Sequence, residues 1–279
     1  YTYKKVPYIR RGSVNHPLSP DEIIEIERRS KRLHFDEMPA NSLQRPGLIS
    51  DIDQQKIIYY IKKTGKNIPS NFDYKQFLVN NELTINHSGK VRNAALLLFG
   101  KEPLQFIPHN KISICVYSSN EVISDFVKSE ISGDLVDMVH RAMIDIQRNV
   151  KFYSSIENLE RIDIPEYPLL AIREAIINAI VHRDYFISGS EIYVRIFSDR
   201  LEILNPGGFP FDGYSWEEVE NSGNSLRRNP KIAKFFEDLK LMEQEGQGIP
   251  RIKKLVKEAG LPEVKIEVTQ NTFKITFFN

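Results

Sequence analysis

Apolar residues recur at helical spacing in two long stretches of the chain. Between residues 132 and 151 apolar side chains repeat every three or four positions, and residues 166–183 are largely apolar after a proline-bounded start. Apolar residues at i, i+3, i+4 and i+7 are typical of a helix with one buried face, so we predict a helix in each stretch. Shorter patterns of the same kind predict helices at 52–63, 231–240 and 250–259.

Alternating and β-branched residues predict strands. "KISICVY" at 111–117 is one, and "SEIYVRIFS" and "RLEILN" follow the 166–183 helix, joined by a tight turn at Ser198-Asp199-Arg200. "EVKIEVT" and "NTFKITFF" predict a second hairpin around Gln270-Asn271. This order of helices and paired strands predicts an α+β fold, a two-layer α/β sandwich whose sheet is mixed and mostly antiparallel.

Loop-forming residues divide the chain, and its 279 residues favour about two domains. We expect a strand, a helix begun by Ser19-Pro20 and a linker at 1–50, with the linker itself at 35–51. A smaller mixed α/β domain is predicted at 51–151, and the sandwich at 152–279. Two short helices near the start of the smaller domain fit either a DNA-reading helix-turn-helix or an ordinary packing unit.

Charge and cysteine content narrow the class of protein. Lys and Arg number 38 against 37 Asp and Glu, so the whole chain has no nucleic-acid signature, although residues 1–35 carry a local excess of four basic side chains. That excess fits either a solvated helix face or nucleic-acid contact. The single cysteine, Cys115, excludes an internal disulfide and favours a cytoplasmic setting. The sequence contains no run of 18 apolar residues, so it predicts no membrane-spanning helix. The chain begins without Met or a leader pattern, which we interpret as a fragment of a longer protein.

Polar residues interrupt the apolar 166–183 helix in a regular way. Glu174, Asn178 and His182 recur every fourth residue, so they form one stripe along the helix. Burying a carboxylate, an amide and an imidazole without partners costs free energy. The stripe therefore predicts a polar ligand or cleft on this side of the helix.

Two glycine turns follow the stripe in sequence. Asn205-Pro206-Gly207-Gly208 ends a predicted strand, and Gly246-x-Gly248-x-x-Arg251 opens a predicted helix. Glycine allows the backbone to approach a ligand closely, and a helix N-terminus presents N–H groups to phosphate. No P-loop, HExxH zinc motif or complete kinase motif set accompanies these turns, which excludes a P-loop helicase within this chain.

The ordered series of stripe, first glycine turn and second glycine turn resembles the GHKL (Bergerat-fold) nucleotide-binding domain of gyrase B, MutL and the histidine kinases. The resemblance implies ATP and Mg²⁺ as cofactors, with Asn178 as the metal ligand and Glu174 as the catalytic base that activates water. It implies that the polar segment 209–245 is a lid and that Arg227, Arg228 or Arg251 pairs with phosphate. The remaining nucleotide-binding residues are then His182, Asn205, Gly207, Gly208, Gly246, Gly248 and Arg251.

One position departs from the family pattern. The family has Asp before the first glycines, where it accepts a hydrogen bond from the adenine amino group, and this chain has Asn205. The amide oxygen can accept the same bond, but the amide NH₂ suits another purine edge equally well. The resemblance therefore implies a purine nucleotide and leaves adenine specificity open.

Longer stretches narrow the resemblance. "YPLLAIREAIINAIVHRDY", "LEILNPGGFP", "RRNPKIAKFF" and "EGQGIPRI" look like the divergent GHKL branch of bacterial RecG-like proteins, in which an AlbA-like, Schlafen-type domain usually comes first. "PYIRRGSVNHPLSPDEI" is similar to the exit strand and helix of that AlbA-like domain, whose body is absent here.

The narrower resemblance implies a nucleotide-binding regulatory module of a DNA-binding transcriptional regulator. DNA contact is expected through the missing N-terminal domain, and no membrane partner is expected. Slow ATP hydrolysis and a homo-oligomeric state stay open at this point. The alternative is a degenerate, nucleotide-free GHKL-like scaffold for interaction or oligomerisation.

Overall fold

The computed structural model describes residues 2–3, 6–11, 13–19, 22–23, 33–86, 88–157, 160–208, 227–242 and 247–279. The α-helices in these ranges are α1 (Gln54–Lys63), α2 (Tyr74–Asn80), α3 (Asn93–Phe99), α4 (Leu135–Asn149), α5 (Leu169–His182), α6 (Pro230–Asp238) and α7 (Gly248–Glu258). All the helices predicted from apolar spacing are present. Aspartates begin three of them, because the side chains of Asp53, Asp73 and Asp134 accept backbone N–H groups of the first turn.

A six-stranded sheet forms the other layer. Its strands are β6 (Lys111–Tyr117), β7 (Phe126–Ser132), β10 (Ile192–Ile196), β11 (Arg200–Pro206), β12 (Lys265–Val268) and β13 (Thr272–Phe278). They lie in the order β12-β13-β11-β10-β6-β7, and only the β10–β6 pair is parallel among them. Helices α4 and α5 pack on β6, β7 and β11, and α7 packs on α5. The predicted α+β fold with a mixed, mostly antiparallel sheet is confirmed.

Three small sheets complete the described part. β1 (Thr2–Tyr3), β2 (Val6–Arg11) and β3 (Val14–Pro17) form one, β4 (Thr84–Ile85) pairs with β5 (Lys90–Val91), and β8 (Phe152–Glu157) pairs with β9 (Glu160–Pro165). The sequence predicted one exit strand where β2 and β3 form a hairpin. The helix start at Ser19 is confirmed by a capping box, in which Ser19 Oγ accepts the Glu22 N–H at 3.2 Å and Glu22 Oε2 accepts the Ser19 N–H at 2.9 Å. Of the helix predicted there, residues 20, 21 and 24–32 lie outside the described residues.

The segment predicted as a linker packs against the core. Phe35 stacks on Tyr185 with ring centroids 5.6 Å apart. Asp36 is fully buried and accepts the backbone N–H groups of Lys231 at 2.7 Å and Ile232 at 3.1 Å, in the first turn of α6. The predicted linker at 35–51 is therefore anchored near its start, because the buried carboxylate of Asp36 stabilises the N-terminus of a helix almost 200 residues later in the chain.

The main sheet also crosses the domain boundary expected at residue 151. Strands β6 and β7 come from the predicted smaller domain and continue the sheet formed by β10 to β13. One cluster of buried apolar residues extends from Ala40 to Phe277. The regions 51–151 and 152–279 thus share a sheet and a core.

Candidate nucleotide-binding site

The polar stripe of α5 meets the first turn of α7. Glu174 is only 7 % exposed, and Asn178 is partly buried beside it. A Cβ atom placed on Gly248 would lie 2.7 Å from Asn178 Nδ2 and 3.0 Å from Glu174 Oε1, so a side chain at this position would displace both groups. Gln247, which precedes α7, makes no side-chain cap hydrogen bond. The start of α7, where the helix dipole is positive, therefore lies against a carboxylate and an amide.

The sequence predicts a polar ligand or cleft on this side of α5, and at this turn the structure places another helix there. Because Gly248 has no side chain, α7 packs directly on α5 at this turn. Glu174 and Asn178 thus face the N-terminus of α7, and a ligand that contacts both of them and this helix binds at the end of α7.

His182 is the last residue of α5. Burial, together with the positive charges of Arg228 and Arg227, lowers its pKa to about 4. The imidazole is therefore neutral at pH 7. In the neutral state it offers one donor and one acceptor, and it adds no positive charge for phosphate.

Asn205 lies near the end of β11, opposite Phe273 of β13. It is 4 % exposed, and its Oδ1 atom is buried without a hydrogen-bond partner among the described residues. A buried acceptor without a donor costs about 1–3 kcal/mol. An N–H group of a ligand, such as the exocyclic amino group of a purine, could donate a hydrogen bond to this oxygen.

The first glycine turn is tightly packed by the protein itself. Gly207 has a φ of +97°, and a Cβ there would lie 2.5 Å from Asp184 Cβ and against the Arg228 guanidinium. A Cβ on Gly208 would lie 2.6 Å from the Gln270 carbonyl oxygen, in the β12–β13 turn. The sequence analysis predicts that these glycines let the backbone approach a ligand closely. The observed close neighbours are instead protein atoms.

Arg228 connects this turn to α5. Its Nη1 donates to the His182 carbonyl oxygen and its Nη2 donates to the Gly208 carbonyl oxygen, both at 2.8 Å. Arg227 forms an ion pair with Glu237 in α6. Both arginines therefore have partners within the protein, and their role in phosphate binding stays a prediction.

The remaining predicted site residues fall in two groups. Arg251 is exposed in the first turn of α7, on the same helix end as Gly248. Gly246 lies outside the described residues, as do 209–226 and 243–245 of the predicted lid. Residues 227–242 of the lid are described, and they include α6.

The side chains at the start of α7 could hold a metal ion only together with the phosphates of a nucleotide. Among the described residues there is no group of three His, Cys, Asp or Glu side chains that could hold a metal ion. Mg²⁺ keeps several waters and is commonly held by one or two protein oxygens plus substrate phosphates. Asn178 Oδ1, beside Glu174, is such a limited set and fits an ion that arrives with phosphate.

Two buried side chains near the site were missed by the sequence reasoning. Asp184 packs against Gly207, and its N–H donates to the Pro206 carbonyl oxygen at 3.0 Å. Asn229 is fully buried, and its Nδ2 donates to the carbonyl oxygens of Val181 and Arg183, both at 2.9 Å. Asn229 therefore stabilises the end of α5, and the Asp184 backbone connects the residues after α5 to the end of β11. The "HRD" and "RRNP" stretches contain them, but local spacing does not reveal contacts over 46 residues.

Comparison with known proteins supports part of this picture. Residues 189–277 match the family described as "Putative ATP-dependent DNA helicase recG C-terminal". This segment is less than half of the chain and begins after α5, so the polar stripe lies outside it. The predicted resemblance to RecG-like proteins is confirmed at this coarser level, whereas the GHKL assignment stays a prediction.

A similar fold occurs in a solved structure. The crystal structure of the DIP2311 protein from Corynebacterium diphtheriae, a structural genomics target, matches with a TM-score of 0.67 at 22 % identity. The match covers 99 % of this chain and 53 % of that one, so the present chain spans about half the length of that protein. At this identity the likeness shows the fold alone. No curated protein matches the chain.

Within the described residues, no helix is both long and apolar enough to span a bilayer.

Proposed function

We propose that this protein binds a purine nucleotide, with ATP as the preferred ligand and Mg²⁺ bound through its phosphates. The observation that carries the proposal is the convergence of Glu174 and Asn178 on Gly248 at the start of α7. A helix N-terminus binds phosphate through its N–H groups, and Asn178 offers a metal-binding oxygen at the same place. The family match over 189–277 supports an ATP-dependent region.

Asn205 supports binding of the base. Its buried Oδ1 has no donor in the described part of the chain, and the amino group of adenine would supply one. Guanine presents a carbonyl oxygen on the equivalent edge, which would need the NH₂ of Asn205 instead. We therefore expect ATP to bind more tightly than GTP.

The biological role that we propose is regulation of a neighbouring DNA-binding domain by nucleotide occupancy. This step rests on the motif resemblance to RecG-like transcriptional regulators. The balanced charge of the chain agrees with DNA contact being made elsewhere in the full-length protein. A switch depends on occupancy, so slow hydrolysis with Glu174 as the water-activating base is compatible with it.

One observation favours a second candidate, a nucleotide-free interaction scaffold. The backbone of Gly207 and Gly208 is covered by Arg228, Asp184 and the Gln270 carbonyl, which are the protein's own groups. In the scaffold, these glycines serve internal packing only.

Thermal unfolding with nucleotides distinguishes the two candidates. A ligand at 100 times its Kd stabilises a protein by about 2.7 kcal/mol, which raises the Tm by a few degrees. We expect such a rise with MgATP, a smaller one with MgGTP, and a smaller one with ATP when EDTA removes the metal. An unchanged Tm with MgATP, MgADP and MgGTP at millimolar concentration would contradict nucleotide binding and support the scaffold.

A further inference from the structure

Strand β7 ends the six-stranded sheet on one side. In the described part of the chain no strand pairs with its outer edge, although all seven of its residues are in register with β6. Phe126 is 50 % exposed and Val127 is 75 % exposed. An open strand edge with exposed apolar residues is a template for pairing with another chain.

A hydrogen bond in the turn before β7 determines which residues of β7 bond to β6 and which direct their backbone groups outward. The Ser118 N–H donates to the Asp125 carbonyl oxygen at 2.9 Å, which continues the β6–β7 pairing by one step. In an antiparallel pair, hydrogen-bonded and non-hydrogen-bonded positions alternate. The odd-numbered residues of β7 therefore bond to β6, and the even-numbered residues direct their N–H and C=O groups outward. These outward residues are Phe126, Lys128, Glu130 and Ser132.

A side-chain contact agrees with this phase. Arg141 of α4 donates from Nη1 to the Ser132 carbonyl oxygen at 2.9 Å, as expected for a carbonyl that β6 does not use. The other outward groups lie along the part of the edge that carries Lys128 and Glu130. The edge thus has one helix-covered end and an open centre.

We propose that a second copy of this chain pairs with β7 in antiparallel fashion, with the two-fold axis at Ser129. In this register Lys128 of each copy lies opposite Glu130 of the other. A two-fold interface uses the same surface on both copies and so must be complementary to itself. The sequence "FVKSEIS" meets this condition around its central serine.

The charges select this register over its neighbours. Outward residues must pair with outward residues, so each allowed register places the axis on a residue. A two-fold axis on Lys128 would place the two copies of Lys128 opposite each other, and an axis on Glu130 would do the same for Glu130. Like charges directly opposite each other are unfavourable. The axis on Ser129 alone opposes unlike charges at both positions, and it centres the pairing on the open part of the edge.

The same register covers an exposed apolar side chain. Val127 lies on the strand face that carries Ser129 and Ile131, where Ser129 contacts Asp145 of α4 and Ile131 is buried. Pairing about Ser129 places Val127 beside Ile131 of the second copy. Ile144 of α4, 49 % exposed, lies on the helix that covers this face.

Charge reversal tests the interface. We expect the 279-residue chain to show, by light scattering after gel filtration, a concentration-dependent mass approaching twice the 32.4 kDa of one chain. In the Lys128→Glu variant, glutamate faces glutamate at both 128–130 positions of the interface. In the Glu130→Lys variant, lysine faces lysine at both. Each variant should therefore lose the dimer. An equimolar mixture of the two should recover a dimer, because every pair across the interface is then unlike. The double variant Lys128→Glu/Glu130→Lys should also recover it.

Two controls keep the result independent of folding. Lys128 and Glu130 form ion pairs within one chain, so each variant needs an unchanged circular dichroism spectrum. Val127→Glu alters an exposed position and should also give monomers. Lys265→Glu on β12, at the opposite edge, disturbs a similar Lys–Glu pair and should leave the dimer intact.

The proposal would be overturned by a wild type that is monomeric at high concentration, or by a dimer that survives Lys128→Glu and Val127→Glu. Dimer loss in Lys265→Glu with retention in Lys128→Glu would assign the contact to the other edge. Folded single variants whose mixture stays monomeric would also contradict the register.

Discussion

Gly248 is the residue where packing and the proposed nucleotide site coincide. A Cβ at this position would meet Asn178 Nδ2 and Glu174 Oε1, which are both ends of side chains that can turn away. We therefore expect Gly248→Ala to cost less than about 1 kcal/mol of unfolding free energy. The same substitution displaces the two site groups and should weaken MgATP binding at least tenfold by calorimetry.

Gly189→Ala is the matched control for this substitution. Nothing lies within 4 Å of a Cβ built on Gly189, and its backbone needs no positive φ. Stability and MgATP affinity should both be unchanged in this variant. Equal nucleotide affinity in Gly248→Ala and Gly189→Ala would remove the start of α7 from the site.

Glu174 allows binding to be separated from turnover. Glu174→Gln keeps the size and one acceptor oxygen of the side chain, so ATP affinity should stay within a few-fold of the wild-type value. Loss of a general base typically costs 10²–10⁴ in rate, and we expect at least about a 10²-fold loss in hydrolysis. Single-turnover hydrolysis of bound ATP, measured side by side, checks this. Equal rates would show that Glu174 is not the base.

The residue spacing predicted the stripe correctly but not all of its neighbours. A repeat of four places Glu174 and Asn178 on one side of a helix, whatever the rest of the fold does. The partners of Arg228 are different, because His182 and Gly208 are 46 and 20 residues away in the chain. Local spacing carries no information on such contacts, so the phosphate role predicted for Arg228 could not be weighed against a structural one.

Asp36 shows the same limit at the scale of an element. Loop formers around it predicted a linker, yet its carboxylate accepts two N–H groups at the start of α6. Strand β7 and the β8–β9 hairpin were also missed. Charged and apolar residues are mixed in their sequences, so the alternation that predicts a strand is weak there. Strongly apolar elements, such as α4, α5 and β10, were predictable because burial imposes a clear period on them.

The attachment of α6 through Asp36 should make stability depend on pH. Burial raises the pKa of Asp36 from 3.8 to about 6, against the effect of the two N–H donors, which lower it. Between these values the folded state binds more protons than the unfolded state, so this group makes stability fall as pH rises from about 4 to about 6. The shift corresponds to about 3 kcal/mol at most.

Asp36→Asn tests this coupling. The amide does not titrate, so urea unfolding should show a smaller loss of free energy between pH 4 and pH 6 than in the wild type. Asp51→Asn is the control, because pairing with Arg45 lowers the pKa of Asp51 and moves its titration below this range. An identical pH dependence in wild type and Asp36→Asn would show that Asp36 does not titrate there.

At the scale of the whole molecule, charge decides what this chain does with DNA. The net charge is +1, and the only local excess predicted from the sequence is four basic side chains within residues 1–35. Contacts to phosphate release counterions, so affinity depends on salt with a slope set by the number of contacts. The 279-residue chain should therefore bind duplex DNA weakly and without sequence preference.

Fluorescence anisotropy with labelled duplexes at several salt concentrations measures that affinity. Four phosphate contacts predict a loss of about 100-fold between 50 and 200 mM salt. Addition of MgATP should not change this affinity for DNA. The basic residues and the proposed nucleotide site belong to different parts of the sequence. In our proposal, the DNA-binding domain that the nucleotide would regulate also lies outside this chain. Tight, sequence-specific binding that persists at 200 mM salt would contradict the proposal that a neighbouring domain recognises DNA. It would assign DNA recognition to residues of this chain.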